Sequence, residues 1–293
     1  MSKIWFVTGA ARGLGAEIAK AALAAGDRVV VTGRRREALQ AAFSPDSDKV
    51  LSLSLDVTRE AEAEGAVEAA LARFGRIDVL VNNAGYGNLG LFEETTDAEA
   101  RAQYDTNVFG LYNVTRAVLP VLRRQRAGRI FNVSSVGGLL GGEGGSLYCA
   151  TKFAVEGFSE SIAKEVAAFG IRVTIVEPGF FRTDFLDDSS VRYGSRQIED
   201  YAELSSQMKA FWDGRNHAQA GDPAKLGRVL VDLADRADPP LRFAAGSDAV
   251  AMIGGKIAAL QAELDAWRDL SVTTDGDDVA AQAQAQAKAG TWG

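Results

Sequence analysis

The sequence is poor in the residues that build metal sites and disulfide frameworks. Its 293 residues include one cysteine and one histidine. A lone cysteine excludes a disulfide bond within the chain and a cysteine-rich metal site, so Cys149 is most simply a small buried residue. A lone histidine, His217, excludes a site built from several histidines and disfavours a Ser-His-Asp triad. We therefore expect no metal site.

Long apolar runs are missing as well. No stretch approaches the roughly 18 consecutive apolar residues that a membrane-spanning helix needs. The apolar residues 4–7 are too few for the core of a signal peptide, and they run directly into a glycine-rich segment. We expect a soluble cytoplasmic protein without a membrane span.

Positive charge is in deficit. The formal net charge is −7 and the sequence pI is about 5.0, which argues against a surface that binds nucleic acid. The hydrophobic fraction of 47% and the charged fraction of 24% are typical of a globular protein with a full core. The net charge also favours solubility.

Short apolar segments alternate with longer helical segments through most of the chain. The apolar segments do not alternate with polar residues, which is typical of parallel strands buried on both faces. The expected strands are residues 3–8, 28–32, 50–55, 78–81, 129–133, 171–176 and 241–244. The expected helices are residues 13–25, 34–43, 59–74, 97–126, 147–169, 223–234 and 248–267, the fourth interrupted near Pro120. This order predicts an α/β fold with helices on both faces of a parallel sheet.

Two segments depart from the alternation. Residues 180–221 mix aromatic and charged side chains, and long segments of this kind are often lids or binding loops. Residues 271–293 are rich in Asp, Ala, Gln and Gly, which favours a flexible tail. We expect one catalytic domain over residues 1–270, with a substrate loop at about 180–221.

A glycine-rich segment follows the first expected strand and opens the first helix. Residues 8–15 read TGAARGLG. A helix N-terminus offers free N–H groups and a positive dipole end to a phosphate, and glycines let the backbone approach closely. The spacing Gly-x-x-x-Gly-x-Gly is one residue longer than the usual dinucleotide fingerprint. The alternative is an ordinary glycine-rich turn between strand and helix.

The end of the second strand bears on the choice of cofactor. An acidic residue there binds a ribose 2′-hydroxyl and repels a 2′-phosphate, but here the strand ends in Thr32-Gly33-Arg34-Arg35. Arg12 also lies inside the glycine loop. Because guanidinium groups match phosphate geometry, NADP(H) is favoured over NAD(H). The alternative is that residues 34–36 are solvated charges at the start of a helix.

Polar residues follow the third and fourth strands. Asp56, before Val57, could accept a hydrogen bond from an adenine amino group or could start a helix as its N-cap. Residues 82–85 read Asn-Asn-Ala-Gly. Ligands of such sheets lie beyond the carboxyl ends of the strands, so both segments are expected to border one cleft.

Tyr148 and Lys152 stand four positions apart, and Ser135 precedes Tyr148 by thirteen residues. On a helix, positions i and i+4 share one face. A free tyrosine has a pKa of about 10, and a cation held nearby lowers it. With a hydroxyl to hold a carbonyl oxygen, the set could move a proton to or from an alcohol. The alternative is an ordinary pair on a helix face.

In this order, the motifs resemble those of the short-chain dehydrogenase/reductase family in its single-domain form. Within it, the chain is similar to the 17β-hydroxysteroid-dehydrogenase-like bacterial oxidoreductases. The resemblance spans about residues 4–243, through the glycine loop, Asp56, residues 82–85 and 148–152, and Pro178-Gly179 with Thr183. It implies a Rossmann-type, doubly wound, seven-stranded, mainly parallel sheet.

The resemblance also implies roles for individual residues. Ser135 would bind the substrate oxygen, Tyr148 would exchange the proton, and Lys152 would lower the pKa of Tyr148 and bind nicotinamide ribose. Asn107, the fourth member of the implied catalytic set, would hold a water that links Lys152 to solvent. Besides Tyr148 and Lys152, the implied cofactor-binding residues are Gly9, Ala11, Arg12, Gly13, Leu14, Gly15, Arg34, Asp56, Val57, Asn83, Ala84, Gly85, Pro178, Gly179, Phe181 and Thr183.

Substrate-facing residues follow from position alone. They lie between Ser135 and Tyr148, after residue 85, and in the substrate loop. The candidates are Gly137, Glu143, Phe185, Leu186, Tyr201 and Trp212, together with Tyr86 and Asn88 after the Asn-Asn-Ala-Gly turn. Aromatic lining suits a bulky hydrophobic ketone, aldehyde or secondary alcohol, although the same aromatics could simply pack the loop onto the body.

The expected function is therefore an NADP(H)-dependent oxidoreductase that moves hydride between nicotinamide and such a substrate. Two alternatives remain: a non-catalytic dinucleotide sensor, and an epimerase or dehydratase on the same fold. Relatives of this kind are commonly homodimers or homotetramers, and the resemblance implies contact through the helices near residues 97–126 and 147–169.

Overall fold

The computed structural model describes residues 2–43, 46–187 and 190–276. The strands are β1 (Ile4–Val7), β2 (Arg28–Gly33), β3 (Val50–Ser54), β4 (Val79–Asn82), β5 (Gly87–Leu89), β6 (Gly128–Val133), β7 (Ile171–Pro178), β8 (Val191–Tyr193) and β9 (Arg242–Ala245). The helices are α1 (Gly13–Ala24), α2 (Arg36–Phe43), α3 (Glu60–Phe74), α4 (Asp97–Tyr104), α5 (Gly110–Gln125), α6 (Ser146–Val166), α7 (Ala202–Asp213), α8 (Pro223–Asp235) and α9 (Ser247–Ser271).

Seven strands form one parallel sheet in the order β3-β2-β1-β4-β6-β7-β9. This confirms the predicted doubly wound, Rossmann-type sheet. The strand order reverses between β1 and β4, and ligands of such sheets lie beyond the carboxyl ends of the strands at that point. The loops after β1 and β4 are the glycine loop and residues 83–86.

Two apolar layers cover the sheet. Side chains of one strand point alternately to opposite faces, so Trp5 and Val7 join the layer of α1 and α8 while Ile4 and Phe6 join that of α3, α5 and α6. All four are nearly inaccessible to solvent. Burial on both faces is why the strand reads as an unbroken apolar run.

The predicted long helix at residues 97–126 is broken, but not near Pro120. α4 and α5 are joined by a wider π-helical turn at Asp105–Phe109, and Pro120 lies inside α5. The prediction of an interruption at Pro120 was therefore wrong. Such π turns are frequent at functional sites, and this one contains Asn107.

The substrate loop contains regular structure that the sequence pattern did not predict. β8 pairs in parallel with β5 in a separate two-stranded sheet, and α7 follows it. β5 and β8 have three residues each, which is too short for a period of apolar residues to be recognised in the sequence. A Cβ atom at Gly144 would lie 2.9 Å from Met208 Cε, so α7 packs on the segment between Ser135 and Tyr148.

The chain divides into two units, Met1–Val250 and Ala251–Gly293. The first contains the main sheet and α1 to α8. The described part of the second consists of the remainder of α9 and a short turn at Val272–Thr274. Most of the predicted tail, from residue 277 onward, lies outside the described residues. None of the described helices combines the length and apolarity that crossing a membrane requires.

Gly15 tests the packing of the glycine loop. A Cβ atom there would lie 2.6 Å from the Gly9 carbonyl oxygen, so we expect Gly15→Ala to lower the free energy of unfolding by about 1–3 kcal/mol. Gly65 is the matched control, because it lies exposed in α3 with no neighbour within 4 Å of its Cβ position. Gly65→Ala should raise stability by up to about 1 kcal/mol. Denaturant unfolding measures both, and equal effects would contradict the prediction.

Candidate active site

The glycine loop forms an open cradle at the start of α1. Gly9 has φ +64° and Gly13 has φ +58°, conformations that favour glycine. α1 begins at Gly13, and no side chain caps its N-terminus. Its first N–H groups and positive dipole end therefore face the cleft, which is an anion-binding arrangement.

Thr8 and Asn83 fix this loop to the end of β4. The Thr8 hydroxyl accepts hydrogen bonds from the backbone N–H groups of Asn83 and Ala84 at 2.9 and 3.0 Å. The Asn83 side-chain amide donates to the Thr8 and Gly9 carbonyls at 2.9 and 3.1 Å. The Asn83 side-chain amide thus shapes the loop, and the predicted contact of Asn83 with the cofactor stays a prediction. The role of Thr8 was not foreseen, although it directly precedes Gly9.

The segment after β7 lies against the same loop. A Cβ atom at Gly13 would lie 3.6 Å from Thr183 Cβ, so Thr183 borders the cradle. Arg12 donates from Nη2 to Ser190 Oγ at 2.6 Å. Asp248, a residue that the motifs did not indicate, accepts from the Phe180 N–H at 2.7 Å and so holds the turn after Pro178.

The remaining predicted cofactor residues lie on loops at the same edge or just behind it. Ala11 and Leu14 belong to the glycine loop, Gly85 follows β4, and Pro178 and Gly179 end β7. Two further predicted cofactor residues are directed into the core instead. Val57 packs between α3 and α5, and Phe181 packs against the layer of α1 and α8.

Arg34 follows β2 next to the glycine loop. Ala10 N–H donates to the Thr32 carbonyl at 3.0 Å, which places the end of β2 directly beside the cradle. Arg34 is exposed, and its charge is close enough to lower the pKa of Tyr86 against the larger effect of burial. Arg36, by contrast, pairs with Asp46 at 2.7 Å.

Asp56 lies at the end of β3, as expected. Its Oδ1 accepts from the Thr58 N–H at 3.0 Å and from the Thr58 hydroxyl at 2.8 Å. The carboxylate thus shapes the turn that leads into α3, which is close to the helix-start alternative. Its proposed contact with adenine stays a prediction.

Ser135 and Tyr148 are brought together by β6 and α6. Ser135 follows β6, accepts from the Gly137 N–H at 3.1 Å, and lies close enough to the Tyr148 phenol to oppose the rise in its pKa. A Cβ atom at Gly137 would lie 3.4 Å from Tyr148 Cε1 and 3.5 Å from Ser135 Oγ. Gly137 therefore lies beside both hydroxyl-bearing side chains, at ordinary van der Waals distance from each.

Lys152 lies one turn further along α6. Its Nζ donates to the Val133 carbonyl at 2.8 Å and lies 5.7 Å from the centre of the Tyr148 ring. The side chain is 7% exposed. Burial lowers the pKa of Lys152 to about 8, against the opposing effect of Glu156.

The ionisation of Tyr148 differs from the expectation. Lys152 was expected to lower the pKa of the phenol, but burial raises it to about 12, and only the nearby Ser135 works in the opposite direction. The physical reason is that desolvation disfavours the phenolate. Lys152 Nζ is directed to the Val133 carbonyl. Tyr148 therefore carries its proton at neutral pH.

Asn107 is buried in the π-helical turn, and both ends of its side-chain amide form hydrogen bonds within the protein. Its Nδ2 donates to the Tyr86 carbonyl at 3.0 Å and to Thr151 Oγ1 at 3.1 Å, while its Oδ1 accepts from the Tyr86 N–H at 3.1 Å. Both amide protons are thus used within the protein. The side chain links α6 to the segment after β4, and its implied role in holding a water stays a prediction.

Glu156 is a buried carboxyl behind Lys152 that the motifs did not indicate. It lies four residues after Lys152 on α6, and its i+4 position could have revealed it. Arg242 binds it at 2.5 Å and also binds Glu177 and Glu160, both at 2.6 Å. Burial raises the pKa of Glu156 to about 6. Between about pH 6 and pH 8, Glu156 is thus ionised while Lys152 is protonated.

Among the candidate substrate residues, Phe185 lies nearest to the chemistry. The centres of the Phe185 and Tyr148 rings are 5.6 Å apart. Phe185 also approaches Gly87, at whose Cβ position it would come within 3.2 Å. Leu186 follows it, half-buried, in the same short helical turn. The cleft in front of the Tyr148 hydroxyl thus has an aromatic side.

Other candidate substrate residues are not brought to this point. Tyr201 donates its hydroxyl to Glu93 Oε2 at 2.8 Å. Trp212 packs against Phe180 and Phe211, with ring centres 6.2 and 5.1 Å apart. These two side chains pack the loop, as the alternative reading allowed. Glu143 is exposed on the segment between Ser135 and Tyr148.

His217 lies beside carboxylates of the substrate loop. Its Nε2 is 3.1 Å from Asp187 Oδ1, which Asn216 also binds at 2.6 Å. Ligand atoms of His217, Asp187 and Asp184 lie within 4.8 Å of one another. Hydrogen bonds within the loop account for this grouping, and the expectation of no metal site stays a prediction.

A phosphate cradle at the strand-order reversal, with a hydroxyl pair and a buried lysine beside it, is the arrangement of a dinucleotide-dependent oxidoreductase of α/β fold. Comparison with known proteins identifies which one. The family model described as short chain dehydrogenase matches residues 3–193, and the chain belongs to that family.

Relatives match the chain over most of its length. It is 39% identical over 279 residues to oxidoreductase BOA17 of Botryotinia fuckeliana, which covers 94% of this chain and 100% of that one. It is 39% identical over 246 residues to a 3-ketodihydrosphingosine reductase of Bacteroides thetaiotaomicron, covering 83% and 88%. The crystal structure of a short-chain dehydrogenase from Streptomyces avermitilis matches with a TM-score of 0.85 and 43% identity, covering 94% and 100%.

Similar structures carry nicotinamide dinucleotides of both kinds. A serine dehydrogenase complexed with NADP+ is 29% identical with a TM-score of 0.70, covering 82% of this chain and 93% of that one. A Brucella melitensis 3-ketoacyl-(acyl-carrier-protein) reductase complexed with NADH is 26% identical with a TM-score of 0.69, covering 82% and 94%. Together with the uncapped glycine cradle, they support a nicotinamide dinucleotide as cofactor.

Glu156 provides a test of the electrostatics around Lys152. Removing its charge with Glu156→Gln should lower the pKa of Lys152 further below about 8, because Glu156 opposes the effect of burial. If activity needs the ammonium, the high-pH limb of kcat/KM should move to lower pH. Glu160→Gln is the matched control, since Glu160 also binds Arg242 but is half-exposed. A limb that stays in place in Glu156→Gln would refute the coupling.

Proposed function

We propose that the protein is an NADP(H)-dependent oxidoreductase that reduces a bulky hydrophobic ketone or aldehyde, or oxidises the matching secondary alcohol. The observation that carries this proposal is that Ser135 and Tyr148 both border Gly137, with the buried Lys152 one turn away on α6. Asn107, Ser135, Tyr148 and Lys152 are the proposed catalytic residues.

The protein's part in the reaction is to hold an oxygen and to move a proton. Ser135 donates a hydrogen bond to the substrate oxygen, and Tyr148 donates its proton to that oxygen. A pKa of about 12 keeps the phenol protonated at neutral pH, which suits the reduction of a carbonyl. The positive charge of Lys152 then favours the phenolate that remains.

The bound nicotinamide would supply or accept the hydride. Gly9, Gly13 and the N-terminus of α1 would hold its pyrophosphate, which the positive φ angles of both glycines and the uncapped helix start support. Arg34 supports the preference for NADP(H), because it is exposed beside the glycine loop and no acidic residue follows β2 within residues 34–36. Arg12 supports it less directly, since its guanidinium contacts Ser190.

The substrate class rests on the aromatic side of the cleft. Phe185 packs 5.6 Å from the Tyr148 ring, and Gly137 lies beside the two hydroxyl-bearing residues. An apolar wall with a few polar groups suits a large hydrophobic ligand. The Bacteroides relative, whose name states a ketone with a long-chain base as its substrate, is consistent with that class.

The proton shuttle is tested by Tyr148→Phe. We expect kcat to fall by about 10²–10⁴-fold, the usual contribution of a positioned acid, while NADPH binding measured by its fluorescence stays near wild type. Tyr112→Phe is the control, because Tyr112 packs between Phe109 and Phe158 and lies outside the proposed site. Retained turnover in Tyr148→Phe would overturn the assignment.

Cofactor choice is tested with a panel of carbonyls and alcohols at the absorbance of reduced nicotinamide. NADPH should be preferred over NADH, and Arg34→Ala should lower kcat/KM for NADPH by about 10–100-fold, the loss of a charged hydrogen bond. Rates with NADH should not change. Arg124→Ala, which removes the same charge from an exposed site on α5, is the control. Equal rates with both cofactors in the wild type would reject the preference.

The same panel separates redox chemistry from the alternatives. Net consumption of NADPH in proportion to product shows hydride transfer to the substrate. Product without net cofactor consumption would point to epimerisation or dehydration, and cofactor binding without any product would point to a sensor.

A further inference from the structure

α9 carries a row of apolar side chains that is narrow and regular. The spacing alternates between four and three residues over two heptads, from Ile253 to Trp267. We call this row the α9 seam; its members are Ile253, Ile257, Leu260, Leu264 and Trp267. At a rise of about 1.5 Å per residue, the seam is about 21 Å long.

The seam is open to solvent along most of its length. Ile257 is 63% exposed, Leu264 56% and Trp267 63%, whereas a side chain of this kind in a core is nearly inaccessible. A contiguous apolar row on a helix marks an interaction site. The alternation of four and three residues is specific, because it keeps the same stripe facing one partner helix along its length.

The positions beside the seam complement a second α9. With Ile257 and Leu260 as positions a and d of the heptad, Glu263 takes position g and Arg268 position e. In a parallel pair, g of one helix faces e of the next heptad on the other. Glu263 therefore faces Arg268 of the second copy, and the symmetry makes this pairing twice. Arg268 also binds Asp265 of its own helix at 2.5 Å, so Glu263 of the second copy adds to a contact already present in α9.

Other partners fit less well. A membrane surface favours basic residues on the polar face, but between residues 253 and 271 the charges are Lys256 and Arg268 against Glu263, Asp265 and Asp269. The C-terminal residues 277–293 have only Val279 and Trp292 as large apolar side chains, without the same period. A copy of α9 matches the seam in length, spacing and charge.

We propose that two copies of this chain associate through the α9 seam, with the two helices parallel and in register. One a/d pair of the seam, Ile257 and Leu260, has the β-branched residue at a and the leucine at d that favour two strands. The contact is isologous, since the same surface serves on both copies. It is separate from the contact through α5 and α6 that the family resemblance implies.

The first experiment measures the mass of the full chain in solution by light scattering. Leu260→Asp with Leu264→Asp places charge in the seam and should halve the oligomer mass. Ala259→Asp with Ala266→Asp adds the same charge on the same helix outside the seam, at exposed positions, and should leave the mass unchanged. A monomeric wild type, or equal masses for the two double variants, would overturn the proposal.

The second experiment holds even if charge in the seam disturbs folding. Cys149, the chain's single cysteine, is buried, so wild type is the blank for oxidative cross-linking. Leu260→Cys should give a disulfide-linked dimer, while Ala262→Cys, on the opposite face, should give at least tenfold less. Equal yields for both variants would overturn the proposal.

The parallel orientation of the two α9 helices is tested by exchanging the charges at Glu263 and Arg268. Arg268→Glu should weaken association, because it sets Glu263 against a second carboxylate, and Glu263→Arg with Arg268→Glu should restore it. Weakening that the double exchange fails to restore would refute the parallel register.

Discussion

The parallel alignment of seven strands is the constraint on which the site depends. Because every strand of the main sheet runs in one direction, its loops after β1, β2, β4, β6 and β7 meet at one edge. The glycine loop, Arg34, Asn83, Ser135 and the turn after Pro178 come from distant parts of the chain and share that edge for this reason alone. Thr8 then locks two of these loops together through its hydroxyl.

Charge buried behind that edge gives the site its chemistry. Burial removes water from the Lys152 ammonium group, which instead donates a hydrogen bond to the Val133 carbonyl and lies within the electrostatic influence of Glu156. Buried ion pairs are weak sources of stability because desolvation opposes the attraction. Glu156 is paired with Arg242 at 2.5 Å, and its charge also opposes the lowering of the Lys152 pKa by burial.

Local signals predicted much of the fold and part of the site. Unbroken apolar runs identified the seven strands of the main sheet, since burial on both faces leaves no polar alternation. The glycine loop was recognisable because positive φ at Gly9 and Gly13 favours glycine. The interruption expected at Pro120 was wrong, because a proline can occupy a helix interior where packing tolerates it. The pairing of β5 with β8 was not predictable, since it joins two three-residue segments about a hundred positions apart.

The sequence by itself determined the type of sheet, the glycine loop at the start of α1 and the placement of Ser135, Tyr148 and Lys152 in one neighbourhood, because these follow from local conformation and fixed spacing. Only the tertiary structure decided the ionisation of that group. The pKa of Tyr148 rises and that of Lys152 falls because both side chains are removed from water. It also decided that Phe185, rather than Trp212, faces the phenol. Desolvation and packing depend on residues far apart in the chain, and no local pattern records them.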